Sequence, residues 1–235
     1  MTQTNTPATP NFFNQEMADS YDQRNSALQP ISGCLHFLTN LVLAPVPRNA
    51  SVLCVGVGTG ADIFALATDN PGWRFVGVDP SAEMLEVCRR RLDEAGLLGR
   101  CQLVRGTVED IADTHFDAVV SLFVAHFIKL DQRAAFYSGI HRRLKPRGLF
   151  VSAEISVDLE DTSLHATVKD WARIQSLMGQ EEKPVEALIA MFRDPLGVVS
   201  PAITEGLWRD AGFAEPVPFF QAFAIRGWHA QRPPL

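Results

Sequence analysis

The chain has 235 residues, 46% of them hydrophobic, enough to bury the core of one large domain. A net charge of -6 and a pI near 5.5 argue against a generally basic surface that coats nucleic acid. The runs CRRRL and HRRLKPRG read instead as solvated helix faces. The N-terminus MTQTNTPATPN is polar and proline-bearing, so no signal peptide is expected. No apolar run approaches the ~18 residues of a membrane span, which leaves the cytoplasm as the expected compartment. Cys34, Cys54, Cys88 and Cys101 form no close pair and sit in apolar or periodic segments. Buried thiols, with no structural metal, are the expectation.

Residues 1–10 read as a disordered leader, followed by one domain over 11–235. Its N-terminal helical cap spans 11–45, with helices over 12–24 and 33–43 joined around Pro30. Strands and helices then alternate. SVLCVGV is a strand, 61–68 a helix, WRFVGVD a second strand, and 81–95 an amphipathic helix capped by Ser81 and ended by Gly96. CQLVRG, FDAVVSLFV and GLFVSAEI are three further strands, with a helix over 131–144 and a KPRG turn before the last of them. This is the pattern of a parallel sheet covered on both faces. The alternation breaks at 160–195, where helices over 164–178 and 185–192 suggest an inserted lid carrying Trp171, Met178, Met191 and Phe192. A helix capped by Ser200 follows, and PVPFFQAFAIRGWHAQ supplies two strands too close together for a crossover, hence antiparallel.

Gly56, Gly58 and Gly60 fall at the carboxyl end of the first strand, where a doubly wound sheet opens its ligand crevice. Their GxGxG spacing differs from the GxGxxG of a dinucleotide site, and no P-loop lysine follows. Asp79 ends the second strand, where a carboxylate can accept two hydrogen bonds from a ribose diol. A ribose without phosphates points to S-adenosylmethionine as cofactor.

The segments VLCVGVGTG, VGVDPSAEML, GTVEDI, FDAVVSLFVAHFI and LKPRGLFVSAE, in this order, resemble the class I S-adenosylmethionine-dependent methyltransferases. The resemblance runs through most of residues 12–231. It implies a Rossmann-like α/β fold with seven mostly parallel strands in the order 3-2-1-4-5-7-6. It further implies that the backbone of Gly56, Val57, Gly58 and Gly60 holds the methionine portion and Asp79 the ribose. Pro80 and Met84 would pack near the adenine, Thr107 and Val108 would lie at its edge, and Ser121 with Leu122 would present backbone groups to the methionine amine. Tyr21 would reach the methionine end from a helix folded over the cofactor, with Arg24 helping at its carboxylate.

Two positions depart from the family pattern. Cys54 stands where many members carry an acid that orients the cofactor's ammonium group, and Thr107 stands where Asp is common. The segments FFNQEMADSYDQRNSALQPISGCLHFL and AGFAEPVPFFQAFAIRGWHAQ are similar to the branch of carboxy-S-adenosylmethionine synthases, which transfer carboxylate onto the cofactor. That branch binds the added carboxylate with an arginine. Ungapped alignment on RDAGF puts Ile189 or a neighbour at its position, with Arg193 four residues further on.

The expected activity is methyl transfer to a small-molecule acceptor, with carboxyl transfer or a noncatalytic S-adenosylmethionine-binding role as alternatives. The sulfonium is already activated, so alignment and exclusion of water come first, and a base is needed only for a poorly ionised acceptor. His126 and Glu154 are the candidates for that base. Against them, the histidine of an apolar FVAHFI and an acid at a strand end also suit purely local packing. The expected partners are thus an acceptor molecule, with no nucleic acid or membrane, and a homodimer is compatible with the chain.

Overall fold

The computed structural model describes residues 15–112, 115–177, 179 and 183–234. The expected leader over 1–10, together with Phe12, Phe13 and Met178, lies outside the described residues. Seven strands form one sheet: β1 (Ser51–Val55), β2 (Arg74–Asp79), β3 (Cys101–Arg105), β4 (Phe116–Leu122), β5 (Leu144–Ile155), β6 (Val217–Ala222) and β7 (Ile225–Gln231). Their order is β3-β2-β1-β4-β5-β7-β6, as the resemblance implied. β1 to β5 run parallel, and β7 lies antiparallel between β5 and β6.

Period-2 alternation in the central strands sends successive side chains to opposite faces, and both faces are covered. Val52, Cys54, Ala118, Val120 and Val151 pack against α2 (Gln29–Leu43), α3 (Ala61–Asp69) and α4 (Ala82–Glu94) through Leu35, Leu43, Ile63, Leu66 and Leu85. Leu53, Val119 and Phe150 face the other way, onto α5 (Leu130–Arg143) and α8 (Pro201–Asp210), where they meet Tyr137, Ile140 and Trp208. A third cluster joins α6 (Leu164–Leu177) and α7 (Val185–Arg193) to the ends of β5 and β7. Trp171 and Phe192 meet edge to face inside it, with ring centroids 6.1 Å apart, so both rings fill the interior of this cluster.

Local details differ from the sequence expectation at three places. A 3-10 turn over Ser26–Leu28 joins α1 (Gln15–Asn25) to α2, and Pro30 lies within the first turn of α2 rather than between two helices. Its missing N–H is one that a first turn leaves unpaired in any case. The KPRG segment belongs to β5, which pairs Leu144 with Phe116, shifts register, and resumes at Leu149 opposite Ala118. Arg147 takes up the shift at φ +65°. Cys34 is exposed on the outer side of α2, while Cys54 and Cys88 are buried and Cys101 is half-buried. Ser81 and Ser200 cap α4 and α8 as expected, accepting from the N–H groups of Met84 at 3.1 Å and Ile203 at 3.4 Å.

One buried ion pair ties these layers together. Arg133 of α5 is wholly buried and donates from Nη1 to Glu154 Oε2 at 2.9 Å. Arg133 Nε donates to Ile128 O at 3.1 Å and Nη2 to Gly197 O, while Glu154 Oε1 accepts from Thr204 Oγ1 at 2.8 Å. With every polar atom partnered, the pair fixes α5, β5 and α8 in register; removing one member would leave an uncompensated buried charge. Arg133→Met is expected to lower the unfolding free energy by about 3–5 kcal/mol, and Arg133→Met/Glu154→Leu to recover most of that loss, as measured by urea denaturation. Equal losses in the single and double variants would contradict this description of the pair.

Candidate functional site

The chain leaves β1 through a turn that only glycines allow. Gly56 and Gly58 sit in the left-handed region, at φ +67° and +52°. A Cβ on Gly56 would come within 2.3 Å of Val124 Cγ2, so the segment beyond β4 runs directly against the first glycine. A Cβ on Gly58 would meet nothing nearer than Gly56 O at 4.0 Å, which leaves that face of the turn open to a ligand. The turn is fixed from β2: Gly56 N and Val57 N both donate to Val78 O, at 2.8 and 3.1 Å.

Asp79 completes the arrangement. Its Oδ2 accepts from Gly58 N and its Oδ1 from Ser81 N, each at 2.9 Å, and its own carbonyl accepts from Gly106 N at 3.0 Å. Burial pushes the carboxyl pKa up, and the two backbone N–H bonds oppose that shift. Each oxygen uses one lone pair in these bonds and keeps another for a hydroxyl. Pro80 is exposed beside it, and Met84 is buried beneath α1 with Ala18, Val87 and Tyr21.

Helix α1 is pinned across the turn. Thr59 Oγ1 donates to Asp22 Oδ1 at 2.9 Å, and Arg91 pairs with Asp22 while donating to Thr59 O at 2.9 Å. The Arg91 guanidinium also lies over the Phe64 ring, 4.8 Å from its centroid. Tyr21 is half-buried, and its phenol pKa is raised by burial and by the charges of Asp62, Asp22 and Asp79. Arg24 is exposed, with its charge within reach of Tyr21. His36 Nε2 on α2 donates to Asp62 Oδ1 on α3 at 2.9 Å.

The remaining expected cofactor contacts stand around the same end of the sheet. Thr107 N and Oγ1 both donate to Asp110 Oδ2, at 2.7 and 3.2 Å, so the Thr107 hydroxyl is engaged in its own turn while Val108 is buried behind it. Ser121 and Leu122 are buried at the end of β4, and Ser121 O accepts from Ser152 Oγ at 2.8 Å. The chain then turns at Phe123, φ +61°, toward Val124 and the glycines. An open left-handed turn, a buried carboxylate with spare acceptor capacity, and an arginine already paired with Asp22 suit an uncharged diol better than a phosphate.

The side chains of His126 and Glu154 are engaged in local contacts. Glu154 faces α5 and α8 in the ion pair described above. His126 lies buried in a 3-10 turn, where Nδ1 accepts from Ile155 N at 3.4 Å and its carbonyl accepts from Gly197 N at 2.8 Å. Burial, with the Arg133 charge adding to it, lowers the imidazole pKa to about 3, so the ring is neutral with its proton on Nε2. Two features of the site had no sequence signal: the Asp22–Thr59–Arg91 clamp and the His36–Asp62 pair. Both join residues far apart in the chain, where no spacing rule connects them.

Known proteins share the sequence pattern and the fold. Residues 52–148 match the methyltransferase domain family. A carboxy-S-adenosyl-L-methionine synthase of Colwellia psychrerythraea is 31% identical over 185 residues, covering 74% of this chain and 72% of the relative. The corresponding synthase of Klebsiella pneumoniae is 23% identical over 218 residues, covering 90% and 87%. In fold, the chain is similar to human N-acetylserotonin methyltransferase in complex with S-adenosylmethionine, with a TM-score of 0.65 and 15% identity. That likeness covers 94% of this chain but 57% of the longer human chain. The chain belongs to the class I S-adenosylmethionine-dependent methyltransferases. It is an enzyme of that family, with S-adenosyl-L-methionine as its cofactor. Among the described residues no helix is long and apolar enough to cross a membrane, and no cluster of three or more potential metal ligands occurs.

The depressed pKa of His126 has a consequence for stability. The unfolded chain takes up a proton near pH 6.5 that the folded chain refuses until about pH 3. This contribution to stability is therefore fully present above pH 6.5 and is lost as pH falls through that window, at about 1.4 kcal/mol per pH unit. Between pH 6.5 and 5, His126→Gln is expected to lose about 2 kcal/mol less than the wild type, by urea denaturation at each pH. Parallel losses would show that the ring does not titrate as described.

Proposed function

We propose that this enzyme transfers the methyl group of S-adenosylmethionine to a small-molecule acceptor. The observation that supports this most is the joint arrangement of Asp79 and the open glycine turn: one carboxylate both fixes Gly58 and keeps acceptor capacity toward the crevice. In this reading the backbone of Gly56, Val57, Gly58 and Gly60 receives the methionine portion and Asp79 the ribose. Pro80, Met84, Thr107 and Val108 border the adenine, while Ser121, Leu122, Tyr21 and Arg24 border the amino-acid end. When bound, the cofactor supplies a methyl group on a sulfonium that is already a good leaving group. The protein's share is then to hold the acceptor in line and keep water out, with α1 and its Asp22–Thr59–Arg91 clamp covering the turn.

No proton transfer is assigned to His126 or Glu154. An imidazole with a pKa near 3 is a poor base at neutral pH, and both oxygens of Glu154 are occupied by Arg133 and Thr204. The reading is therefore alignment without a dedicated base, which suits an acceptor that is nucleophilic unaided.

The curated relatives favour a second reading, carboxyl transfer onto the cofactor. Such a ligand carries an additional carboxylate, which a closed site has to pair with a cation. Ile189 is buried in the lid cluster, and Arg193 is turned to Glu160 at 3.4 Å on the surface. This is why methyl transfer stands first. Incubation with S-adenosylmethionine and prephenate, followed by mass analysis of the bound nucleoside, is expected to return no carboxylated product. With the methyl group labelled, radioactivity is expected in the small-molecule fraction of a cell extract, and to be lost with Asp79→Asn. A carboxylated nucleoside would establish the second reading and overturn the first.

A further inference from the structure

Three aspartates surround the glycine turn, and the structure distinguishes them by what their oxygens already hold. Asp22 gives Oδ1 to Thr59 and Oδ2 to Arg91. Asp79 gives Oδ2 to Gly58 N and Oδ1 to Ser81 N. Asp62, in the first turn of α3 just beyond Gly60, gives Oδ1 to His36 Nε2, and no described residue donates to its Oδ2. Its side chain is only 13% exposed, and that of His36 19%.

Its place on α3, two residues beyond Gly60 and hydrogen-bonded to α2, puts the Asp62 charge beside the turn. That charge raises the pKa of the Cys54 thiol on β1 and of the Tyr21 phenol on α1, the strand that leads into the turn and the helix pinned across it. A carboxylate so enclosed, with one oxygen fixed and one unengaged, is a directed site for a cation. The cofactor carries such a cation, the α-ammonium of its methionine portion, and the thiol of Cys54 has no charge to offer it.

We propose that Asp62, oriented by His36, is the anionic partner of the cofactor's ammonium group, and that it does so in place of a carboxylate at position 54. The proposal rests on the cofactor placement given under Proposed function. It makes Asp62 a binding residue selective for ligands with an amino-acid end, and His36 a positioning residue acting through it.

The test compares two ligands by calorimetry. S-adenosylhomocysteine carries the ammonium, whereas 5′-methylthioadenosine has the same nucleoside without the amino acid. Asp62→Asn, which keeps the size and the hydrogen bond to His36, is expected to weaken S-adenosylhomocysteine about tenfold and leave 5′-methylthioadenosine unchanged. His36→Phe is expected to weaken S-adenosylhomocysteine in the same selective way, by less. Equal weakening of both ligands in Asp62→Asn, or of neither, would overturn the proposal. Asp79→Asn separates this outcome from a failure of the cofactor placement itself: if that placement holds, both ligands weaken, and if Asp79→Asn leaves both intact, the placement fails.

Discussion

The site depends on the carboxylate of Asp79 and its two backbone N–H bonds. One oxygen takes the amide of Gly58 and the other that of Ser81, so a single side chain at the end of β2 fixes both the turn after β1 and the start of α4. A buried carboxylate is costly, and these bonds are what make its charged form tolerable. The glycines provide the complementary condition, because a side chain on Gly56 would collide with Val124 and the turn would open. Remove the carboxylate and the amides lose their partner; remove the glycines and the amides cannot reach it.

Everything else around the crevice is arranged about this point. The parallel strands bring the ends of β1, β2 and β4 to one edge of the sheet. Helix α1 then closes over that edge through Asp22, whose two oxygens join it to Thr59 in the turn and to Arg91 on α4. On the other face, the Arg133–Glu154 pair holds α5 and α8 against β5. Thus Asp79 holds the glycine turn, and the Arg133–Glu154 pair holds the scaffold.

How much of this could be read from the sequence follows from how local each signal is. Strand and helix alternation carried the parallel sheet and its antiparallel end, the strand order came with the family resemblance, and the caps at Ser81 and Ser200 follow from residue type and position alone. The glycine turn and Asp79 were legible because both sit at strand ends in a doubly wound pattern. Pro30 was read as a break although a first helical turn tolerates it, and KPRG as a turn although β5 absorbs it as a register shift. The partners of Glu154 were not legible, since Arg133 and Thr204 reach it from separate helices. The His36–Asp62 pair is the same case: two helices have to dock before the two side chains become neighbours. For His126 the apolar FVAHFI left both a base and a locally packed side chain open, and the structure shows the packed one.

The central claim is that Asp79 reads a ribose diol with the acceptor capacity its backbone bonds leave over. It is tested most directly by titrating wild type and Asp79→Asn with S-adenosylhomocysteine and with its 2′,3′-dideoxy analogue. The wild type is predicted to favour the diol-bearing ligand by about tenfold or more, and Asp79→Asn to bind both weakly and with little preference. An undiminished preference for the diol in Asp79→Asn would contradict the account.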